Sequence, residues 1–541
     1  MSAMANPIAS LAHLARAGFV LAQHGVRFFP PGTPVPLLVR LGSWVTWPVR
    51  VIGRAFAPAS ARGTAPIAAA FTRLGPSYIK AGQFLAARPD LIGQDLAGDL
   101  ASLQDRLPPF PDARAHRVIR EEFGHPVDTL YAELGPPVAA ASIAQVHKGR
   151  VGGRLDGDPA AGRPARDVAV KILRPGVERR FKRDLSSFSL AARTLEAIYP
   201  PSRRLKPTLV VDTIAESTEL EMDLRMEAAA ISEMASNTAD DENFRLPDID
   251  WQRTSKRVLT IEWIDGVPVS DLEALRARGF DLTALGTEII RTFLRHAMRD
   301  GFFHADMHQG NILIDNNGKV VLIDFGIMGR LTGREQRFLA EILFGFITQN
   351  YRRAAEVHFW AGYVPEHHSI DVFAQALRAI GEPIMDRPAE DISMGHLLGQ
   401  LFVYTELFDM ETRPELIMLQ KTMVVVEGVA RTLDPKLNIW TTAEPIVRDW
   451  IERELGPAGL LKEARKGAGD VGKFVGELPG ILVRAEQTAE RFANMARDGI
   501  RLDDATVRQL AREQVGRERW LHAGVWAGAL ALIVLAVGQV L

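Results

Sequence analysis

The stretch FFHADMHQGNILIDNNGKVVLIDFG, Phe302–Gly326, decides how the rest of the chain is read. It sets Asp306 first, Asn311 shortly after, and Asp324 beyond a hairpin turned by Asp315-Asn316-Asn317-Gly318. Transfer of a phosphoryl group needs a carboxylate beside the acceptor hydroxyl and oxygen ligands for a Mg²⁺ that bridges the phosphates. Asp306 suits the first role as a catalytic residue, and Asn311 and Asp324 suit the second as metal ligands. A rival reading takes His304-x-Asp306-x-His308 as a metal site, but it leaves the D-F-G at Asp324 unexplained.

Working outward, Val168-Ala169-Val170-Lys171 reads as a strand ending in a lysine, the place from which kinases hold the α- and β-phosphates. Any one of these motifs alone means little; their order along the chain makes chance agreement improbable. Such a lysine needs a carboxylate on a facing helix. Within ELEMDLRMEA we assign Glu227 to it and read Glu221 and Asp223 as a separate acidic pair with a regulatory role. The nucleotide loop is expected at Val138, Ala139, Ala140, Ala141, Ser142, Ile143, Ala144, Gln145 and Val146, where a kinase would carry glycines. Alanine reaches positive φ only at a cost, so this loop should alter nucleotide preference without abolishing binding, with the Ser142 hydroxyl offered instead. Gly467–Lys473 imitates both G-x-G-x-x-G and most of a P-loop. It follows a helical LLKEARK and has Phe474 where Ser or Thr is required, so both readings fail.

Around these motifs the periodicity gives an α+β, bilobal arrangement. Pro111-Asp112 opens a helix over 113–123, and AAASIAQVHKGRV and DVAVKIL form a hairpin about the turn-rich 156–164. Helical spacing runs over 177–198 and 208–235, a strand over 257–264, and mainly helix to about Leu433 apart from one hairpin near 312–323. The expected units are a basic helical extension (1–112), an N-lobe (113–265), a C-lobe (266–440), a helical juxtamembrane region (441–519) and a transmembrane tail anchor (520–541).

Composition narrows the classes. With no cysteine among 541 residues there is no disulfide framework, thiolate nucleophile or zinc ribbon, and a net charge of −2 argues against a nucleic-acid partner. Nine basic residues precede the first acidic one, Asp90, which suits an anionic lipid surface. At the other end, LHAGVWAGALALIVLAVGQVL (Leu521–Leu541) carries no charged side chain and as helix spans roughly 31 Å, the thickness of a bilayer core. Arg512, Arg517 and Arg519 before it predict a single span with the rest of the chain cytoplasmic.

Taken together the motifs resemble the UbiB family of atypical kinases, which supports ubiquinone biosynthesis. The signature beyond the general kinase set is Lys80-Ala81-Gly82-Gln83, similar to the family's K-x-G-Q, joined by AAASIAQV, the E-x-D at Glu221 and Asp223, and FFHADMHQGN. Gln309 departs from the proline expected there and touches no catalytic ligand. The resemblance implies a protein-kinase-like fold in which the segment bearing Lys80 covers the cleft and Lys80 takes a catalytic role. It implies ATP or ADP with Mg²⁺ as cofactors, and hydrolysis or small-molecule phosphorylation in preference to protein phosphorylation. It also implies isoprenoid-quinone precursors or quinone-pathway proteins as partners at the bacterial inner membrane. A nucleotide-gated scaffold of the same fold, and a phosphotransferase of the aminoglycoside or choline type, are the alternatives; the Lys80 segment and the tail disfavour the second.

Overall fold

The alternating residues that predict strands build a four-stranded antiparallel sheet in the order β1-β2-β3-β5: β1 (Glu133–Ala140), β2 (Ala144–Val151), β3 (Arg166–Leu173) and β5 (Val258–Glu262). The computed structural model describes residues 7–24, 26, 65–86, 92, 94–103, 107–152, 164–198, 203, 206–385, 404, 407–410 and 414–455. Most of the basic stretch before Asp90, nearly all of the 156–164 connection, Gly467–Lys473 and the apolar tail Leu521–Leu541 lie outside the described residues. Among the described residues no helix is long and apolar enough to cross a membrane. The chain divides into the units Met1–Ile451 and Glu452–Leu541, and every site described below lies in the first.

Strand β1 escapes the sequence reading because Pro136 and Pro137 lie inside it. Both are tolerated because β1 is the edge of the sheet and its register shifts on either side of Pro137. One sheet face buries Val168, Val170 and Ile172 against Ala115, Val118 and Ile119 of α5 (Asp112–Phe123), which a short turn α6 (Val127–Leu130) follows. The other face buries Ala144, Leu173 and Leu259 against Leu224 and Ala228.

The helical spacing over 208–235 is two helices, not one: α8 (Pro207–Glu221) and α9 (Leu224–Asn237). Asp223 makes the break. Its carboxylate caps α9 by accepting the Arg225 N–H, and a capping aspartate outside a helix is worth more than one inside it. Ahead of the sheet, α1 (Pro7–Gln23), α2 (Pro66–Leu74), α3 (Pro76–Ala86) and α4 (Gln94–Ala101) form the extension. It docks on α7 (Val177–Ile198). Tyr78 meets Phe188 edge-on at 4.9 Å, Ser77 donates to Asp184 at 2.8 Å, and Arg180 donates to the Leu74 carbonyl at 2.7 Å. Two glycines are obligatory in that joint. Gly75 sits at φ +101° where a Cβ would strike the Arg180 guanidinium, and a Cβ on Gly82 would strike Leu103 and Phe71.

The second lobe packs α10 (Leu272–Ala277), α11 (Leu282–Arg295), α12 (Gly333–Ile347), α13 (Tyr351–Trp360), α14 (Ile370–Met385), α15 (Pro414–Leu433) and α16 (Ile439–Leu455). Ile289, Phe293, Phe303, Ile314 and Val426 are fully buried in its core. The expected hairpin is β8 (Ile312–Asp315) with β9 (Val320–Leu322). It is not alone, because β4 (Phe244–Arg245) and β6 (Gly266–Pro268) extend it to the order β4-β9-β8-β6. Beside it β7 (Phe302–His304) pairs with β10 (Met328–Arg330). Strands this short carry too little alternation to be read from sequence.

Candidate active site

Register places the lysine. Across the sheet Ala139, Val146, Lys171 and Leu259 stand side by side, and strand alternation keeps that row on the face covered by α9. The α9 cap at Asp223 puts Glu227 in the first turn and buries it there. Lys171 Nζ donates to Glu227 Oε1 at 2.8 Å and to Asp324 Oδ1 at 2.9 Å, closing a bridge from sheet to helix to the D-F-G segment. Glu227 Oε1 also accepts the Phe325 N–H at 3.2 Å.

Burial opposes the charge on Lys171, but Asp324 and then Glu227 outweigh it and raise the lysine above its ordinary value. Burial likewise works against the Asp324 carboxylate, yet the Lys171 charge and hydrogen bond, with help from Lys80, hold it well below the usual carboxylate range. Glu227 moves the other way: its burial exceeds the pull of Lys171, and its carboxyl is raised. Asp324 keeps half of its side-chain surface open and sits at φ +65°, a left-handed conformation that costs a non-glycine residue about 1 kcal/mol or more.

The second strand pair joins the two aspartates through His304. Its ring is buried between β7 and the D-F-G segment, with Nε2 2.7 Å from the Asp324 carbonyl and Nδ1 accepting the Asp306 N–H at 3.1 Å. That fixes the tautomer, Nε2–H donating, and burial lowers the pKa so the ring stays neutral. Both nitrogens are therefore engaged, which removes His304 from any metal site. Asn311 donates its amide to the Asp306 carbonyl at 3.0 Å, leaving its Oδ1 as the group that can meet a cation, and Ile323 N–H binds the Asn311 carbonyl at 3.0 Å. The donors gathered here are all oxygen, as a hard Mg²⁺ requires. Asp306 is partly open and lies 3.7 Å from His308 Nε2.

The alanine segment is a hairpin end and not an open loop. Val138, Ala139 and Ala140 belong to β1, and Ala144, Gln145 and Val146 to β2. Ala139 and Val146 share the row of Lys171. Gln145 does not. It faces the other way and clamps the Phe110 backbone, accepting its N–H at 2.9 Å and donating to its carbonyl at 3.2 Å. Ser142 and Ile143 are buried, so the hydroxyl expected at the nucleotide lies inside the fold. Ala141 is held by Arg174, whose guanidinium donates to its carbonyl at 2.8 Å and 2.9 Å and reaches the Pro108 carbonyl at 3.0 Å.

The acidic pair is also split. Glu221 ends α8 and binds Lys80 Nζ at 2.7 Å, while Asp223 pairs with Arg225 at 2.6 Å. Sequence reasoning missed His304 and Arg174 as site residues. A histidine between Phe303 and Ala305 in a buried strand was a usable signal for the first; the contacts of Arg174 are purely tertiary and left none.

Residues 102–358 match the ABC1 atypical kinase-like domain, and residues 377–438 match the UbiB helical domain. A protein of Marinobacter nauticus named "Probable protein kinase UbiB" is 38% identical over 462 residues, covering 84% of this chain and 81% of its own. One of the same name from Aeromonas salmonicida is 37% identical over 447 residues, covering 81% and 80%. A solved structure of a Mycobacterium tuberculosis protein in complex with erythromycin aligns at a TM-score of 0.46 and 24% identity, covering 70% of this chain and 91% of that one. The fold and its cleft thus define an atypical kinase-like protein. The chain belongs to the UbiB family.

Proposed function

We propose that the chain is a Mg²⁺-dependent atypical kinase or ATPase that supports ubiquinone biosynthesis from the bacterial inner membrane. The observation that carries this reading is the Lys171 bridge to Glu227 and Asp324, with His304 tying Asp324 to Asp306. Lys171 would hold the nucleotide phosphates, Asn311 and Asp324 would hold Mg²⁺, and Asp306 would take the proton of the acceptor, water or a small lipid-like alcohol. Bound Mg²⁺ would neutralise charge on the phosphates. Lys80, pinned to Glu221 and acting on Asp324 through its charge, makes the extension part of the cleft and favours a small acceptor over a protein chain.

The anionic lipid and the tail anchor enter from the basic start and the apolar end, and the quinone-precursor partner from the resemblance to the UbiB family. Purified full-length protein should hydrolyse ATP with Mg²⁺, faster on cardiolipin-rich liposomes than on neutral ones, and lose turnover in Asp306→Asn. Turnover equal in that variant would remove Asp306 from the chemistry. Protein truncated before Trp520 should leave the membrane fraction; retention there would remove the tail anchor.

A further inference from the structure

Away from the nucleotide cleft, a cavity of about 520 Å³ opens where α5 meets the turn that follows β3. Four arginines line it: Arg114 and Arg117 from one face of α5, Arg179 from the start of α7, and Arg257 from the approach to β5. Two glutamates share the wall, but neither balances the set. Glu121 is taken by Arg257 at 2.9 Å, and Glu178 by Lys256 at 3.5 Å. Among the described residues no ion pair is formed by Arg114, Arg117 or Arg179. Arg179 folds back over the turn, its guanidinium 3.7 Å from where a Cβ on Gly176 would stand.

Solvated arginines on a helix face normally splay apart. Here three uncompensated guanidiniums from two elements meet at one concavity, and like charges gathered in that way raise the local potential and repel each other. An oxyanion would relieve that repulsion, and the planar fork of arginine matches the paired oxygens of a phosphate. We propose that this cavity is a binding site for a phosphate-bearing anion, gripped by Arg114, Arg117 and Arg179. The volume admits a diphosphate or a phospholipid headgroup. Its floor is the turn that follows Leu173 at the end of β3 and begins with Arg174, the residue that holds Ala141, so an occupant would bear on the exit of the lysine strand. The site does not depend on the nucleotide reading, since none of its residues touches Lys171, Asp306 or Asp324.

The test uses full-length protein with two probes: inorganic pyrophosphate by titration calorimetry, and phosphatidylcholine vesicles with and without phosphatidic acid by co-sedimentation. Arg117→Ser/Arg179→Ser should weaken binding of the effective probe at least tenfold, and Arg117→Lys/Arg179→Lys should recover only part of the loss. All four substitutions fall on exposed positions, so folding is preserved. Arginine-dependent binding of pyrophosphate identifies a soluble ligand; arginine-dependent binding of phosphatidic acid vesicles alone identifies a lipid headgroup. Equal affinity of wild type and the serine pair for both probes, or no binding of either to wild type, would overturn the site.

Discussion

Two shielded lysines near the cleft, Lys171 and Lys80, reach carboxylates and do different work. Lys171 and Lys80 are equally shielded, 15% and 14% exposed, and their shortest contacts are alike at 2.8 Å and 2.7 Å. Lys171 is held by two carboxylates from separate elements, one of which also accepts a backbone N–H of the D-F-G segment. Lys80 pairs with Glu221, at the last residue of α8, and its charge also acts on Asp324. The first arrangement ties sheet, helix and second lobe into one unit with an excess negative charge, ready for a cation. The second bolts an added layer onto that unit. Distance alone does not distinguish them; what they join does, since Lys171 links the sheet to α9 and the D-F-G segment while the Lys80 pair links the extension to α8.

The comparison can be broken most forcefully at Lys171. Lys171→Met strands buried Glu227 and half-open Asp324 without their cation. Loss of one partner of a buried pair costs about 3–5 kcal/mol, and the open side of Asp324 puts this case near the lower value. Urea unfolding should show that loss; a change below about 1 kcal/mol would mean the bridge is incidental.

Protons separate the cleft's own parts. Asp324 is held low enough to stay charged in mild acid, whereas His304 must be neutral to accept from Asp306. Because burial depresses the folded-state pKa of His304 below its ordinary 6.5, its contribution is complete above that pH and is lost as the pH falls below it. Stability from this group should therefore decline as the pH falls below 6.5, by at most about 1.4 kcal/mol per pH unit, until the folded state itself takes up the proton. His304→Asn should flatten that part of the profile, and an unchanged slope would place the titration elsewhere.

Lys80→Ala removes the Glu221 ion pair from the docked extension, at a cost of about 1–2 kcal/mol, while Ser77 and Tyr78 still hold it. Its larger effect should be on turnover, through release of the cleft. If stability and turnover both stay at wild-type values, the Lys80 segment is packing only. The smallest effect belongs to Ala140→Gly: a few tenths of a kcal/mol in stability and a shift of preference from ADP towards ATP. The Arg174 clamp on Ala141 will resist that shift, so Ala140→Gly/Arg174→Met should show it more strongly than either change alone.

What the sequence made legible follows from how local each signal is. Lys171, Asp306, Asn311 and Asp324 sit in short motifs beside a strand or a turn, so spacing alone put them in one cleft. Glu227 was readable because helical spacing survives a misplaced boundary. The split of Glu221 from Asp223 was not, since it rests on a cap that competes with helix propensity at one residue. Gln145 and Ser142 were read as an open loop because the pairing of β1 with β2, disguised by the prolines of β1, makes that segment the buried end of a hairpin. Arg174 depends on carbonyls that only the fold brings near.

In the proposed reaction Asp324, Asn311 and Lys171 together hold Mg²⁺ and nucleotide. Asp324→Asn keeps the shape of the side chain and removes the charge that meets the cation. Thermal unfolding with and without Mg·ADP tests it most directly. Wild type should be stabilised by Mg·ADP and by neither component alone to the same degree, and Asp324→Asn should lose that increment; an equal shift in the variant would contradict the account.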